Sequence, residues 1–298
     1  EFGSNDGISL QNYAASGIRH LGVDPSSNVV EASRTKGVSA LCDFFNEQSV
    51  KQIVRDYGQA DVIISTNTMH HIEDIKSVVA GAKKLLKQKG LMITEDLYLG
   101  DMIRLNSYEQ IYAEHNFIWS VMSMQNLFNL FDMELVNLEP NPHHGGCMRY
   151  FAAHKGEHIP KAIVADQLDA EKKLGLHDAE TFQRFRQKCE TSRLAIIDTL
   201  ESLSKRGKRI VGYGATAKST TLVNYCGITS DHLEFICDST PAKQGKLSPG
   251  AHIPILSDSV FSSNYPDYAL LFAWNHREEI FSKEQEYMNN GGKWIEYI

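Results

Sequence analysis

The segment from Glu1 to Gly7 contains a glycine-rich loop of the kind that lets a backbone approach a ligand closely. Its pattern is Glu1-x-Gly3-x-x-x-Gly7, and Asp24 follows seventeen residues after Gly7, at the end of the next predicted strand. Glycine permits positive φ and close approach. A carboxylate at that strand end can accept hydrogen bonds from both hydroxyls of an adenosine ribose. A glycine loop alone is a weak signal, but the added acid favours nucleoside binding.

Three later segments indicate which nucleoside the loop binds. Cys42-Asp43-Phe44 follows the predicted third strand, where it would flank an adenine, and Asn67 follows the fourth strand. Leu85-Leu86-Lys87-Gln88-Lys89-Gly90 comes next. A phosphate-binding loop would end in Gly-Lys-Ser/Thr, which is absent here. The order of motifs resembles class I S-adenosylmethionine (SAM) methyltransferases. The resemblance implies SAM as cofactor, with these binding residues: Glu1, Gly3, Asn5, Gly7, Asp24, Asp43, Phe44 and Asn67.

A second constellation lies between residues 110 and 149. Gln110-Ile111-Tyr112-Ala113-Glu114-His115 is followed by His143-His144-Gly145-Gly146-Cys147-Met148-Arg149. With the first loop and Tyr213-Gly214-Ala215-Thr216-Ala217-Lys218, these motifs closely resemble the sugar C-methyltransferases, which include the tetronitrose C-3 and mycarose 3-C enzymes. The resemblance covers essentially the whole chain, and the pair Tyr-x-Glu-His plus His-Gly-Gly is specific where either piece alone is not.

The resemblance implies methylation at C-3 of a nucleotide-linked 4-keto-6-deoxy sugar, with dTDP as the expected nucleotide. A C–H beside a ketone is acidic only when a base takes the proton and a donor faces the developing oxyanion. By resemblance His115 is that base, and a histidine suits the role because it titrates near neutral pH. Glu114 and His71 would orient the sugar or the base, and Tyr112 would donate to the oxygen. SAM would supply the methyl group.

A second glycine loop, Gly212-x-Gly214-x-x-Ala217, matches a dinucleotide fingerprint, with Asp238 closing the next strand. Alone it predicts NAD binding, so an NAD-dependent oxidoreductase is an alternative function. The resemblance instead gives this half a scaffold role, in which a helix start holds a diphosphate beside Lys218. The expected residues for the nucleotide sugar are His144, Gly145, Arg149, Tyr213, Lys218, Asp238 and Trp274.

Several of these residues also have a purely structural interpretation. Tyr112 could be a core aromatic with its hydroxyl satisfied, and Trp274 could be buried packing. His143, His144 and Cys147 could look like metal ligands, but one short cluster favours a tight Gly-Gly turn. No metal site is predicted.

Short apolar strands alternate with helical stretches along both halves, which predicts parallel sheets covered by helices. Glycine at position 90 is expected to stop a helix that begins near Asp74. The predicted fold class is α/β: a class I (Rossmann-like) methyltransferase domain over residues 1–155, a polar helical connector over 156–205, and a second Rossmann-like domain over 206–298 that binds the nucleotide sugar.

The composition excludes several classes of protein. The 298 residues carry a net charge of −7, which argues against nucleic-acid binding. Five cysteines without C-x-x-C spacing predict neither a disulfide framework nor a zinc knuckle. The cysteines are expected to be reduced and mostly buried, as in a cytoplasmic protein. No apolar run is long enough for a membrane span. The protein is expected to be a monomer or a weak homo-oligomer.

Members of the resembling family carry an amino-terminal zinc-binding domain that contributes an active-site tyrosine, and the sequence contains no such segment. We therefore expect an upstream part to be missing or reduced. A non-catalytic, SAM-binding fragment is a third possible function.

Overall fold

The computed structural model describes residues 1–298. The chain forms two compact units, each described here by itself. The first contains residues 1–101 and 114–177, and the second contains residues 102–113 and 178–298. No helix is both long and apolar enough to cross a membrane.

The first unit is built on parallel strands that are extended by an antiparallel pair. Strands β1 and β2 form a two-stranded parallel sheet. Phe2, which precedes it in the chain, forms an isolated bridge with Val23 of this sheet and donates its N–H to the Ile64 carbonyl of the second sheet. The segment around Phe2 thus runs between the two sheets. The second sheet has the order β3-β4-β6-β5, with β6 antiparallel to both neighbours. The strands are β1 Gly22–Asp24, β2 Ala40–Cys42, β3 Ala60–Thr66, β4 Leu86–Leu97, β5 Met133–Asn141 and β6 Cys147–His154.

Helices cover these strands with apolar faces. In α4, Val78, Val79 and Ala82 are almost fully buried, as the spacing of three and four residues on one helix face requires. The Asn46 side chain caps the start of α3 by accepting from two backbone N–H groups. The helices are α1 Leu10–Ala15, α2 Ser27–Thr35, α3 Glu47–Tyr57, α4 Ile75–Leu85, α5 Leu99–Leu105, which crosses into the second unit, α6 Val121–Asn129 and α7 Ala162–Leu174.

The prediction that Gly90 stops α4 is wrong. The helix ends at Leu85, and Gly90 lies inside β4, next to a shift in its register with β3. A Cβ on Gly90 would lie 2.7 Å from Leu86 Cδ1 and 2.8 Å from the Asp61 carbonyl oxygen. The glycine is therefore required by close packing within the sheet, and a packing requirement of this kind cannot be distinguished from a helix stop in the sequence.

The second unit contains a five-stranded, entirely parallel sheet in the order β11-β10-β7-β8-β9. Its core includes Val211, Phe261, Leu271 and Tyr287, none of which is measurably exposed. The strands are β7 Ile210–Tyr213, β8 Ile236–Cys237, β9 Ile255–Leu256, β10 Tyr268–Leu271 and β11 Lys293–Ile295. The helices are α8 Ala179–Lys205, α9 Ala217–Cys226, α10 Asp258–Ser263, α11 Arg277–Lys283 and α12 Gln285–Asn289.

Within the segment 156–205, for which a helical connector is predicted, the structure has two helices, and they lie in different units. Helix α7 belongs to the first unit and α8 to the second. The 27-residue α8 buries Phe185, Ile196 and Leu200 on one side, which matches the apolar spacing in its sequence. The antiparallel strands β5 and β6 were not expected from the sequence.

Candidate cofactor-binding and active site

The first glycine loop and Asp24 are joined directly by hydrogen bonds. The Asn5 backbone N–H donates to Asp24 Oδ2 at 3.0 Å, and the Ser26 N–H donates to Oδ1 at 2.9 Å. The Asp24 residue is only 9% exposed. Each carboxylate oxygen therefore has one backbone donor, and each retains lone-pair capacity for a further donor such as a ribose hydroxyl.

Glycine is sterically required at both ends of this loop. Gly3 has φ of 64° and Gly7 has φ of 74°, which are left-handed values. A Cβ on Gly3 would lie 2.3 Å from Thr68 Oγ1, and one on Gly7 would lie 2.9 Å from Ser33 Cβ. Asn5 also has positive φ, at 49°. The backbone is thus tightly coiled in front of Asp24, as close approach to a ligand demands.

The other predicted cofactor residues follow the ends of β2 and β3. The Asp43 N–H donates to the Asp24 carbonyl, and Asp43 Oδ1 accepts from the Phe44 N–H. The Phe44 ring is 68% exposed, so it is available for stacking. Asn67 has φ of 51°, and its N–H donates to the Glu95 carbonyl. Glu1 is half-buried, and burial raises the pKa of its carboxyl.

Three histidine rings lie together after β3. The His71 and His115 ring centroids are 5.1 Å apart, and His70 lies 4.5 Å from His115 and 4.1 Å from His71. His71 Nδ1 donates to the Glu114 carbonyl at 2.8 Å, which orients its ring. The Asn116 side chain donates to the His71 carbonyl, and its N–H to the His70 carbonyl. The loop of residues 114–117 is thereby tied to residues 70–71.

The buried carboxylate of Asp96 holds the His70 ring and backbone in place. Asp96 Oδ1 lies 2.6 Å from His70 Nδ1 and also accepts the His70 backbone N–H at 3.2 Å. His70 is 3% exposed and Asp96 is not exposed. Burial raises the pKa of Asp96 to about 8 and lowers the pKa of His70 to about 4, because both charged forms lose their hydration. Burial thus acts against the charged form of both partners.

His70 and Asp96 were not assigned a role from the sequence, although Asp96 follows the apolar residues of β4 directly, which is the signal that could have identified it. Tyr112 lies in the irregular segment two residues before Glu114, within the part of the chain that belongs to the second unit. Its role stays a prediction. Glu114 is exposed and His115 is half-buried.

The His143–Gly146 segment forms the tight turn predicted for it. It connects β5 to β6 and has positive φ at His144, Gly145 and Gly146. A Cβ on Gly146 would lie 2.4 Å from Asp101 Oδ2. On β6, Arg149 is paired with Glu95 at 2.8 Å and with Glu139 at 3.2 Å, so its guanidinium already has two carboxylate partners.

In the second unit, the predicted ligand residues fall into two groups. Tyr213 is 7% exposed, packs against Phe261 and Trp294, and donates its hydroxyl to Glu284 at 2.6 Å. This placement favours packing over ligand contact. Lys218 lies over the Trp274 ring at 5.4 Å, beside the start of α9, where the predicted diphosphate would bind.

Asp238 and Trp274 both have partners within the second unit. Asp238 Oδ1 accepts the Thr240 N–H at 2.8 Å, and its Oδ2 is 3.3 Å from Lys243 Nζ. Trp274 Nε1 donates to Glu109 Oε1 at 2.8 Å. Glu109 is fully buried, and burial raises its pKa. Glu109 is a buried acid that sequence reasoning missed.

Comparison with known proteins gives two matches to protein families. Residues 1–138 match a methyltransferase domain, and residues 142–298 match a C-methyltransferase C-terminal domain. The chain is 33% identical over 296 residues to the C-methyltransferase NovU of Streptomyces niveus, which covers 99% of this chain and 70% of that protein.

Solved structures show weaker likeness. A SAM-dependent methyltransferase from Anabaena variabilis has a TM-score of 0.43 and 18% identity, covering 52% of this chain and 76% of that one. The magnesium protoporphyrin IX methyltransferase of Synechocystis, with bound S-adenosylhomocysteine (SAH), has a TM-score of 0.40 and 12% identity over 52% and 72%. Scores of this size add nothing to the matches in sequence.

Proposed function

Because the chain belongs to the SAM-dependent C-methyltransferase family, we propose that its substrate is a nucleotide-linked 4-keto-6-deoxy sugar, with dTDP as the nucleotide and C-3 as the methylated carbon. The support comes from the motif Tyr112-Ala113-Glu114-His115, taken with the His-Gly-Gly turn at residues 144–146. The family relationship establishes carbon methylation, and these motifs carry the assignment of the sugar.

The first unit fits the cofactor. Gly3 and Gly7 adopt conformations that other residues rarely adopt, and Asp24 presents a carboxylate held by two backbone donors. We propose that Asp24 accepts the ribose hydroxyls, that Asp43 and Phe44 flank the adenine, and that Asn67 faces the methionine end. When bound, SAM supplies the methyl group.

The histidine cluster is the observation that carries the proposed chemistry. His115 would take the C-3 proton of the keto sugar through a ring nitrogen. Its ring lies against that of His71, whose orientation is fixed by the Glu114 carbonyl. A base must be held at hydrogen-bonding distance from the proton it removes, so this packing supports the role. Tyr112 would donate to the enolate oxygen.

Solvent-deuterium exchange at C-3 of a dTDP-4-keto-6-deoxy sugar tests the base. We expect exchange in the unaltered protein and a decrease of about 10²- to 10⁴-fold in His115→Asn, the usual contribution of general-base catalysis. His177→Asn, which changes an exposed histidine, is the matched control. Exchange that is undiminished in His115→Asn would remove this residue from the role of base.

The second unit offers a place for the nucleotide. Its strand order, with β7 between β10 and β8, has a switch point at the carboxyl ends of β7 and β10, where parallel sheets bind ligands. We propose that the start of α9 holds the diphosphate, with Lys218 beside it.

The same strand order also suits NAD, so an oxidoreductase is the second candidate. The ion pair between Asp238 and Lys243 counts against it, because a ribose would need that carboxylate. Thermal unfolding distinguishes the two functions: we expect dTDP to raise the midpoint and NAD to leave it unchanged. The reverse result would favour the oxidoreductase.

A further inference from the structure

We infer that Asp96 and His70 are positioning residues for His115, the proposed general base. Asp96 lies near the end of β4 and holds His70, and the ring and carbonyl of His70 in turn contact the segment that carries His115. All three residues belong to the first unit. The inference rests on the proposed function, because it takes His115 as the residue that removes the C-3 proton.

Asp96 connects His70 to the sheet. It is paired with Met148 across β4 and β6, and it is not exposed. Its Oδ1 accepts the His70 backbone N–H at 3.2 Å and lies 2.6 Å from His70 Nδ1. A single carboxylate oxygen therefore fixes both the backbone and the ring of His70 on a strand that has neighbours on both sides.

This contact requires only an acceptor oxygen at position 96. Oδ1 already accepts the His70 backbone N–H, which assigns Nδ1 of the ring as a second donor and leaves the ring lone pair on Nε2. A carboxylate, a neutral carboxyl group and an amide all present such an oxygen. Asp96 Oδ2 is buried without a hydrogen-bond partner, so an amide nitrogen in its place removes no bond. The positioning role therefore predicts that asparagine can substitute for Asp96.

His70 contacts the segment that carries the base in two ways. Its carbonyl accepts the N–H groups of Asn116 at 2.8 Å and Phe117 at 3.3 Å. Its ring lies edge-to-face against that of His115, with centroids 4.5 Å apart and planes at 78°. Rings in this arrangement attract each other. His70 thus favours one position of the backbone next to His115 and one orientation of the His115 ring.

The other imidazole beside the base, that of His71, is held differently. It is exposed, and its Nδ1 donates to the carbonyl of Glu114, the residue directly before His115. This bond orients His71 relative to the segment that carries the base, but it does not connect that segment to a strand. His70 is only 3% exposed and makes such a connection through Asp96.

The expected consequence is a change in rate without a change in affinity. A general base must be held at hydrogen-bonding distance from the proton that it removes, and a misplacement of about 1 Å can cost about 10²-fold in rate. Without an acceptor at position 96, the His70 ring is free to rotate and His115 loses its support. Asp96 itself is fully buried, so its replacement removes no contact with the sugar.

Deuterium exchange at C-3 of a dTDP-4-keto-6-deoxy sugar, measured over a range of sugar concentrations, tests the role. Asp96→Leu removes the acceptor and should lower kcat for exchange about 10²-fold with KM unchanged. Asp96→Asn should retain most of the activity. His70→Asn keeps a donor for Asp96 but removes the ring beside His115, and it should also lower kcat. Val50→Ala, a core substitution in α3, is the matched control and should reduce stability without lowering kcat.

NMR spectra of isotope-labelled histidine rings provide a measurement that does not use the sugar. We expect the unaltered protein and Asp96→Asn to hold His70 with its proton on Nδ1 and to share the same His115 ring signals, and Asp96→Leu to change both. SAH binding verifies that each variant is folded, and His70→Asn replaces Asp96→Leu in the comparison if the latter does not fold. Absence of exchange in the unaltered protein would count against the proposed function, and the spectra would then decide the positioning role.

Three results would overturn the inference. One is an unchanged kcat in Asp96→Leu, and another is a loss in Asp96→Asn as large as that in Asp96→Leu. The third is a set of His115 ring signals that is the same in Asp96→Leu and the unaltered protein. A purely structural role predicts equal losses in Asp96→Leu and Val50→Ala at equal stability, so the control separates the two interpretations.

Discussion

Each unit carries a strand, a glycine loop and an acid at the end of a neighbouring strand, but the two acids have different partners. Asp24 accepts one backbone N–H on each oxygen. Asp238 accepts one backbone N–H and is paired with Lys243, whose ammonium also donates to the Ala215 carbonyl at 2.7 Å. A lysine thus joins the acid to the loop in the second unit, whereas the loop backbone itself contacts the acid in the first.

The difference shows that a glycine loop followed by an acid does not define one ligand. In the first unit the carboxylate keeps lone pairs for uncharged hydroxyl donors. In the second unit the lysine offsets the negative charge of the acid, so the carboxylate no longer repels an anion at the start of α9, where a helix N-terminus suits a phosphate. The comparison therefore predicts separate ligands for the two units, and four predictions sharpen the contrast between them.

The largest effect is expected from Asp24→Ala. Hydrogen bonds to a charged group contribute about 1.5–3 kcal/mol each, so loss of two ribose contacts should weaken SAH binding by about 100-fold or more. Asp238→Ala should leave SAH affinity unchanged. Isothermal titration of both variants measures this difference. Equal SAH affinity in Asp24→Ala and the unaltered protein would show that Asp24 does not hold the ribose.

The next effect concerns the loops themselves. Gly3→Ala places a Cβ 2.3 Å from Thr68 Oγ1 at a φ of 64°, whereas Gly214→Ala places one 3.1 Å from Ala273 Cβ at a φ of 92°. Backbone strain of this kind costs about 1–3 kcal/mol. We expect Gly3→Ala to lower the free energy of unfolding by an amount near the upper end of this range, and Gly214→Ala by an amount near the lower end. Urea unfolding measures both. Only Gly3→Ala should also weaken SAH binding. A larger loss in Gly214→Ala would contradict the difference in packing.

A smaller effect is expected from Lys243→Ala. Asp238 would lose its ammonium partner, and because the lysine side chain is 41% exposed, the loss of stability should be only about 1 kcal/mol. Lys243→Arg should retain most of it, and SAH affinity should not change in either variant. Unfolding in urea provides the measurement. If NAD stabilises the unaltered protein, the ion pair with Lys243 does not prevent Asp238 from binding a ribose.

The same two units show how far the sequence predicts the structure. The parallel strands and the contact between the first loop and Asp24 follow from local patterns, since apolar runs and glycine positions are visible in sequence. The antiparallel strands β5 and β6 were missed because the expected pattern was parallel. Their pairing across residues 133–154 depends on the turn at His143–Gly146.

The histidine cluster could be predicted only in part. His71 and His115 stand in recognisable motifs, but the contact of His70 with Asp96 joins residues that are 26 positions apart. This contact depends on how β4 packs beside the segment after β3. Local sequence patterns do not predict that packing. The same reason explains why Glu109 and its bond to Trp274, across 165 positions, were not anticipated.

The smallest expected effect is a change in pH dependence at Glu109. Asp24 has a backbone donor on each oxygen, whereas Glu109 accepts from Trp274 on Oε1 and its Oε2 has no hydrogen-bond partner. Burial raises its pKa, so the folded protein holds this proton more tightly than the unfolded chain does. Its contribution to stability is therefore present below the ordinary pKa of glutamate and is lost as pH rises through the folded value.

Glu109→Gln keeps an oxygen that can accept from Trp274 and removes the titration. We expect the unaltered protein to lose more thermal stability between pH 5 and pH 8 than this variant does, with the exposed substitution Glu201→Gln as the control. Parallel pH profiles for Glu109→Gln and the unaltered protein would show that this carboxyl is ionised in the fold. The contrast between the buried acids of the two units would then disappear.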